Sequence, residues 1–184
     1  MITIHIHAKE IWDDHNKEFV QVNEQTVNME HSLISITKWE SKYHKTFMDD
    51  TVKKTNEELI DYFRCMCITP LKDPRDILGL TSADMDRIVK YMANPMIPFK
   101  FKEDPHLNGK HRGGDPMCGI MIYYYMVAAQ IPFECQKWHI NQLMALIRIY
   151  GMKNNPGKPL KGSALANRNT SLNAARRAKL GSKG

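Results

Sequence analysis

The chain predicts a mainly helical α+β fold: a helical core with a small amino-terminal antiparallel β-hairpin or sheet. Three observations carry this. Ile2, Ile4 and Ile6 alternate with Thr3, His5 and His7, the period-two pattern of a half-buried strand. From Ser32 onward, apolar residues recur at three- and four-residue spacing behind helix-start signals at Ser32, Thr55 and Thr81. Residues 120–150 form the longest apolar stretch, and Ile131-Pro132 divides it into what reads as two helices meeting at a proline corner.

In order, Asp13-Asp14-His15-Asn16 is a turn cluster, after which Phe19, Val20 and Val22 resume β character. Residues 2–22 therefore read as a hairpin, with a third short strand over 26–29. His5 and His7 share a strand face and invite a metal, but no third ligand at a defined spacing is visible, so solvent-facing histidines are expected. Ser32 then caps a helix carrying Leu33, Ile36, Trp39 and Tyr43, with Trp39 as its core anchor. Residues 47–54 read as a polar connection. Thr55-Asn56-Glu57-Glu58 is a capping box opening a helix with Leu59, Tyr62 or Phe63, and Met66 inward, ending before Pro70.

Leu71 to Leu80 reads as a loop. Thr81 caps a helix with Met85, Ile88, Val89 and Met92 as its stripe, stopped by Asn94-Pro95. Residues 95–114 carry three prolines and three glycines; Phe99 and Phe101, alternating with lysines, allow a short edge strand or ordered loop. Asp115-Pro116 opens the first helix of the apolar stretch, with Met117, Met121, Tyr124 and Ala128 on one face. The second runs from Phe133 or Glu134 to Tyr150, closed by Gly151 as a glycine cap, with Cys135, Trp138 or His139, Gln142 or Leu143, Leu146 and Tyr150 on one stripe. Trp39, Trp138 and Tyr124 are the expected core or contact anchors. A membrane span is excluded here, because Pro132, Glu134, Lys137, His139 and Arg148 interrupt the stretch.

Charge divides the chain into a globular part, 1–152, and a basic carboxy-terminal extension, 153–184. Net charge is +6, yet residues 151–184 hold eight Lys or Arg and no carboxylate, leaving 18 basic against 20 acidic residues elsewhere. After the breaker Asn154-Asn155-Pro156-Gly157, residues 163–180 regain helix formers, with Leu165, Leu172 and Leu180 too sparse for a buried stripe. A marginal helix that orders on a partner is expected, presenting Arg176, Arg177 and Lys179. Nucleic acid or an acidic protein surface would suit those charges.

No catalytic, cofactor or metal constellation stands out. Cys65, Cys67, Cys118 and Cys135 form no C-x-x-C pair and no secretory signal precedes them, so reduced thiols in a cytoplasm are expected. Cys135 and His139 fall at i, i+4 on the expected second helix, but no oxyanion donor or orienting acid accompanies them. Gly109-Lys110-His111-Arg112-Gly113-Gly114 lacks the phosphate-loop spacing and a leading strand, so a surface loop is expected. Twelve methionines suit an adaptable core or binding surface.

The segments HSLISITKWESK (31–42), EELIDYFRCM (57–66), IYYYM (122–126), IPFECQKWH (131–139) and SLNAARR (171–177) resemble small proteins of the virion-assembly region of tailed bacteriophages, in particular tail assembly chaperones. The resemblance implies a non-enzymatic late protein of the host bacterial cytoplasm. It would bind the tape-measure protein, aid tail-tube assembly and self-associate, using Trp138, Tyr124, Arg176, Arg177 and Lys179. The alternative it allows is a structural virion component, a neck, connector or capsid-associated subunit whose basic tail touches neighbours or DNA. A nucleic-acid-binding regulator is disfavoured, since no basic recognition helix stands out in 30–150.

Overall fold

The computed structural model describes residues 1–13, 16–99, 101, 117–154 and 163–181, with side chains of the last stretch from 169. It is a mainly helical α+β protein whose residues divide into two units, Met1–Arg148 and Ile149–Gly184. The turn residues Asp14 and His15, the glycine-rich segment 109–114, the Asp115-Pro116 start and the breaker at 155–159 lie outside the described residues.

Four strands open the chain: β1 (Ile2–Ile6), β2 (Lys9–Asp13), β3 (Glu18–Val22) and β4 (Gln25–Met29). The expected hairpin over 2–22 is corrected: β1 pairs with β4, and β2 with β3. Lys9–Asp13 is a strand in its own right, marked only by the weak alternation of Ile11. Both ribbons share one register, since the numbers of every paired couple add to 31. They are one long hairpin, interrupted at His7-Ala8 and opposite at Asn23-Glu24. Across that interruption the inward parity changes, from Ile4 and Ile6 to Ile11 on one member and from Val20 and Val22 to Val27 and Met29 on the other. The ribbon thus turns over at an elbow.

Gly79 explains how tightly the elbow is packed. A Cβ there would lie 2.5 Å from Val22 Cγ1 and 2.9 Å from Ile6 Cγ2. Gly79 ends a 3-10 segment, Pro74–Gly79, where the sequence suggested only loop; Asp73 caps it and Pro74 occupies its first turn. The buried Asp76 carboxylate clamps this segment to the elbow. It accepts the Asn23 and Asp73 backbone N–H groups, both at 2.9 Å, and the Gln25 amide at 2.5 Å. Burial alone would raise its pKa, but these donors outweigh burial and hold it below the usual carboxylate range.

Helix α1 (Leu33–Tyr43) buries Leu33, Ile36 and Trp39, and α2 (Asn56–Met66) buries Tyr62, Phe63 and Met66. Ser32 and Thr55 cap them, and the Thr55–Glu58 box forms as its spacing predicts. Leu59 points outward instead of inward. Trp39 Nε1–H donates to the Glu58 carbonyl at 2.7 Å, and Phe47 stacks on Tyr62 with ring centroids 3.7 Å apart. Phe47 therefore turns part of the expected polar connection into core lining. Helix α3 (Ser82–Met92), capped by Thr81, buries Ile88 and leaves Val89 exposed.

The apolar stretch departs most from expectation. Helix α4 (Gly119–Ala128) begins at Gly119, with Met117 outside it. Its cap comes from α1: Glu40 Oε2 accepts the Gly119 N–H at 2.7 Å, placing a carboxylate at the positive end of the helix dipole. Nor does Pro132 stop α4. Gln130, in the left-handed region at φ 53°, and Ile131 close it with backbone bonds to Val127 and Met126 at 3.1 and 2.9 Å, the Schellman pattern. A 3-10 segment, Phe133–Lys137, follows, so α5 (Ile140–Asn154) begins at Ile140 and runs through Gly151, correcting both expected ends. Helix α6 (Ser163–Leu180) completes the chain; no helix among the described residues is long and apolar enough to cross a membrane.

Candidate functional site

Two arrangements stand out: an apolar outer face on α4 and a buried histidine cluster beside α1. The first follows from how α4 is seated. A Cβ on Gly119 would lie 2.3 Å from Thr37 Cγ2, so α4 meets α1 at glycine and buries the 119, 122, 126 stripe. Met121, Tyr124 and Ala128, expected to share one face with Met117, lie off this buried stripe, and Met117 precedes the helix. Because α4 is apolar nearly all round, the opposite side presents Ile120, Tyr124 and Val127 at 71%, 63% and 61% exposure. These stand at i, i+4 and i+7, one continuous ridge. Half-buried Tyr123 packs near exposed Phe133, ring centroids 6.3 Å apart, and its hydroxyl donates to Gln136 Oε1 at 2.7 Å. Beside the ridge lies a groove of about 410 Å³ whose lining includes Thr37, His44, Lys45, Cys118, Ile120 and Tyr123.

Trp138, expected as a core or contact anchor, caps the 3-10 segment and is 40% exposed, because a 3-10 turn stands where a continuous helix was expected. Trp39 is fully buried, as expected. Tyr124 and Trp138 thus both belong to the surface of the Met1–Arg148 unit. Arg176, Arg177 and Lys179 lie near the end of α6 in the second unit, all exposed.

The second arrangement is polar and enclosed. His31, Ser35, Tyr62 and His139 are all buried. His31 Nδ1 and the Tyr62 hydroxyl share a 2.5 Å hydrogen bond, and the His31 and His139 rings meet edge to face at 5.2 Å. His139 Nδ1 accepts the Asn141 N–H at 3.2 Å, which fixes the proton on Nε2, facing the Tyr91 carbonyl at 3.2 Å. The Tyr91 hydroxyl donates to Glu30 at 2.5 Å, and the Met1 amine pairs with the same carboxylate at 2.7 Å. Burial, then the neighbouring His139, lowers the His31 pKa from 6.5 to about 3. Burial lowers His139 as well, against the pull of its hydrogen bond to Tyr91. Both shifts favour neutral imidazoles, and the cluster joins the end of β4 to α1, α2, α3 and the start of α5.

Cys135 and His139 do not share a helix face. Cys135 lies in the 3-10 segment and His139 pairs with Ser32 in an isolated β-bridge, so the i, i+4 relation fails for want of a helix. Cys65 and Cys67 are partly buried thiols pushed up by burial, Cys67 to about 11, the opposite of the lowering that activates a nucleophilic thiol. No family model, curated protein or solved structure matches this chain.

Proposed function

We propose that this chain is a non-enzymatic assembly factor that grips an apolar helical segment of another polypeptide along the outer ridge of α4. The observation that carries the reading is the ridge itself. Ile120, Tyr124 and Val127 leave a large apolar surface in water on a helix held rigidly by the Gly119 contact and the Glu40 cap. Such surface costs about 25 cal/mol per Å² to leave wet, a cost recovered when a partner covers it. A ridge at i, i+4, i+7 fits the groove of another helix. Together with the phage-like segments, this favours a tail assembly chaperone, with the tape-measure helix as occupant and tail-tube subunits recruited to the complex.

The test is co-expression with a helical tape-measure fragment, followed by size-exclusion chromatography. Co-elution that Val127→Glu abolishes, with the melting temperature unchanged, is the expected result. Co-elution that Val127→Glu leaves intact, or self-association through the ridge without the fragment, would overturn the choice of occupant.

The exposed Arg176, Arg177 and Lys179 favour a second reading, a structural virion component whose basic helix touches neighbours or DNA. Mass spectrometry of mature particles separates the two: a chaperone is absent from them, a structural subunit present in stoichiometric copies.

A further inference from the structure

The elbow of the β-ribbon carries a side-chain cluster that the proposed function does not use. His5 lies in β1, His7 just beyond it, and Glu24 in the opposite interruption between β3 and β4. Spacing along the sequence offers only the two histidines; the turnover of the ribbon supplies the carboxylate. One ligand atom from each of the three lies within 4.8 Å of the others, the one such grouping of three among the described residues. All three side chains are exposed.

We propose that His5, His7 and Glu24 form a surface site for a divalent transition-metal ion of the zinc class. Two imidazole nitrogens and one carboxylate oxygen are borderline donors that suit zinc, with water completing a four-coordinate shell. Ligand atoms about 2.0–2.1 Å from a tetrahedral ion stand roughly 3.3 Å apart. His5 Nε2 and Glu24 Oε1 already do, at 3.3 Å. The His5 and His7 rings lie edge to face at 4.5 Å, and rotation of the exposed His7 side chain would bring its nitrogen from within 4.8 Å to ligand distance.

The ring orientation needed for binding is set from outside. His5 Nδ1 is engaged by the Thr26 hydroxyl at 3.0 Å, which leaves Nε2 as the coordinating nitrogen. Glu24 is equally well placed: its neighbours Asn23 and Gln25 are both clamped by Asp76, and its own carbonyl accepts from Lys72 Nζ at 2.9 Å. Asp84 on α3 adds negative charge toward His7, offset by its pairing with Arg87 at 3.5 Å. The ion would bridge both members of the ribbon at its elbow, so binding the folded state alone should raise the melting temperature.

Zinc sulfate titrated into the full chain at pH 7.5, followed by ¹⁵N spectra of the histidine side chains, tests the site. His5 and His7 should shift together and saturate near one equivalent, with a rise in melting temperature over the same range. Glu24→Gln should weaken the midpoint about tenfold or more, the lower bound for disturbing even an outer-shell partner, and His7→Ala should abolish the joint shift. Shifts confined to other histidines, or a midpoint unaffected by Glu24→Gln, would overturn the site.

Discussion

Helix α1 and helix α4 run side by side, and their composition would rank them wrongly. α4 is the more apolar, yet it buries only Gly119, Ile122 and Met126, whereas α1, with Thr37, Lys38, Glu40 and Ser41 in it, carries the fully buried Trp39. What separates them is that α1 is enclosed, with Trp39 bonded to the Glu58 carbonyl and ringed by Tyr43 and Phe47 at 5.0 and 5.1 Å. α4 instead meets α1 through a glycine and leaves its opposite face exposed. Apolarity is permission for burial, and the geometry of the neighbours decides which face uses it.

The comparison breaks first at Trp39. Trp39→Ala removes a fully buried indole and its hydrogen bond to the Glu58 carbonyl, and should cost about 3–5 kcal/mol in chemical denaturation. A loss below 1 kcal/mol would mean that α1 is not the enclosed partner. Next, Gly119→Ala should cost about 1–3 kcal/mol, because Thr37 and Glu40 must give way. If it instead stabilises, as alanine for glycine in an open helix does, the two helices are not in close contact.

Acid sharpens the comparison at the α1 entrance. An unfolded chain takes up a proton on His31 below its ordinary pKa of 6.5, while the folded chain resists until about 3. Stability should therefore fall as pH drops through that window, by up to about 1.4 kcal/mol per pH unit for this residue. His139, lowered in the same direction, adds to the slope. Replacing His31 with Gln should flatten the slope between pH 6.5 and 5 whatever it does to stability at pH 7.5. The smallest effect is expected on the outer ridge: Tyr124→Ser should change stability by less than about 0.5 kcal/mol. A larger loss would show that the face is covered in solution.

Much of the fold was legible because its signals are local. The capping residues Ser32, Thr55 and Thr81 and the period-two isoleucines each act over a few residues, and each stands where its chemistry requires. Most of the errors share one physical cause, which is that the deciding contact is distant in sequence; the 3-10 segment Pro74–Gly79, with its local Asp73 cap, is the exception. The cap of α4 is Glu40, 79 residues away from Gly119, so the local Asp115-Pro116 signal misplaced the start. The pairing of β1 with β4 depends on an inner hairpin whose first strand has one modest apolar residue inward, Ile11. His31 gave no signal at all, since a histidine before a cap residue is unremarkable until His139 and Tyr62 are brought against it. Glu24 joined His5 and His7 only when the ribbon turned over.

That turnover limits which length changes the amino-terminal region can absorb. The two members reverse sides together, opposite one another, so an extra residue in only one of them would put isoleucines and valines into water on one side of the elbow while the other side stayed correct. Gly79 leaves no slack to accommodate the misfit. Insertions and deletions there should survive only as matched pairs, one on each member, a rule that saturation insertion scanning of residues 2–29 can read directly.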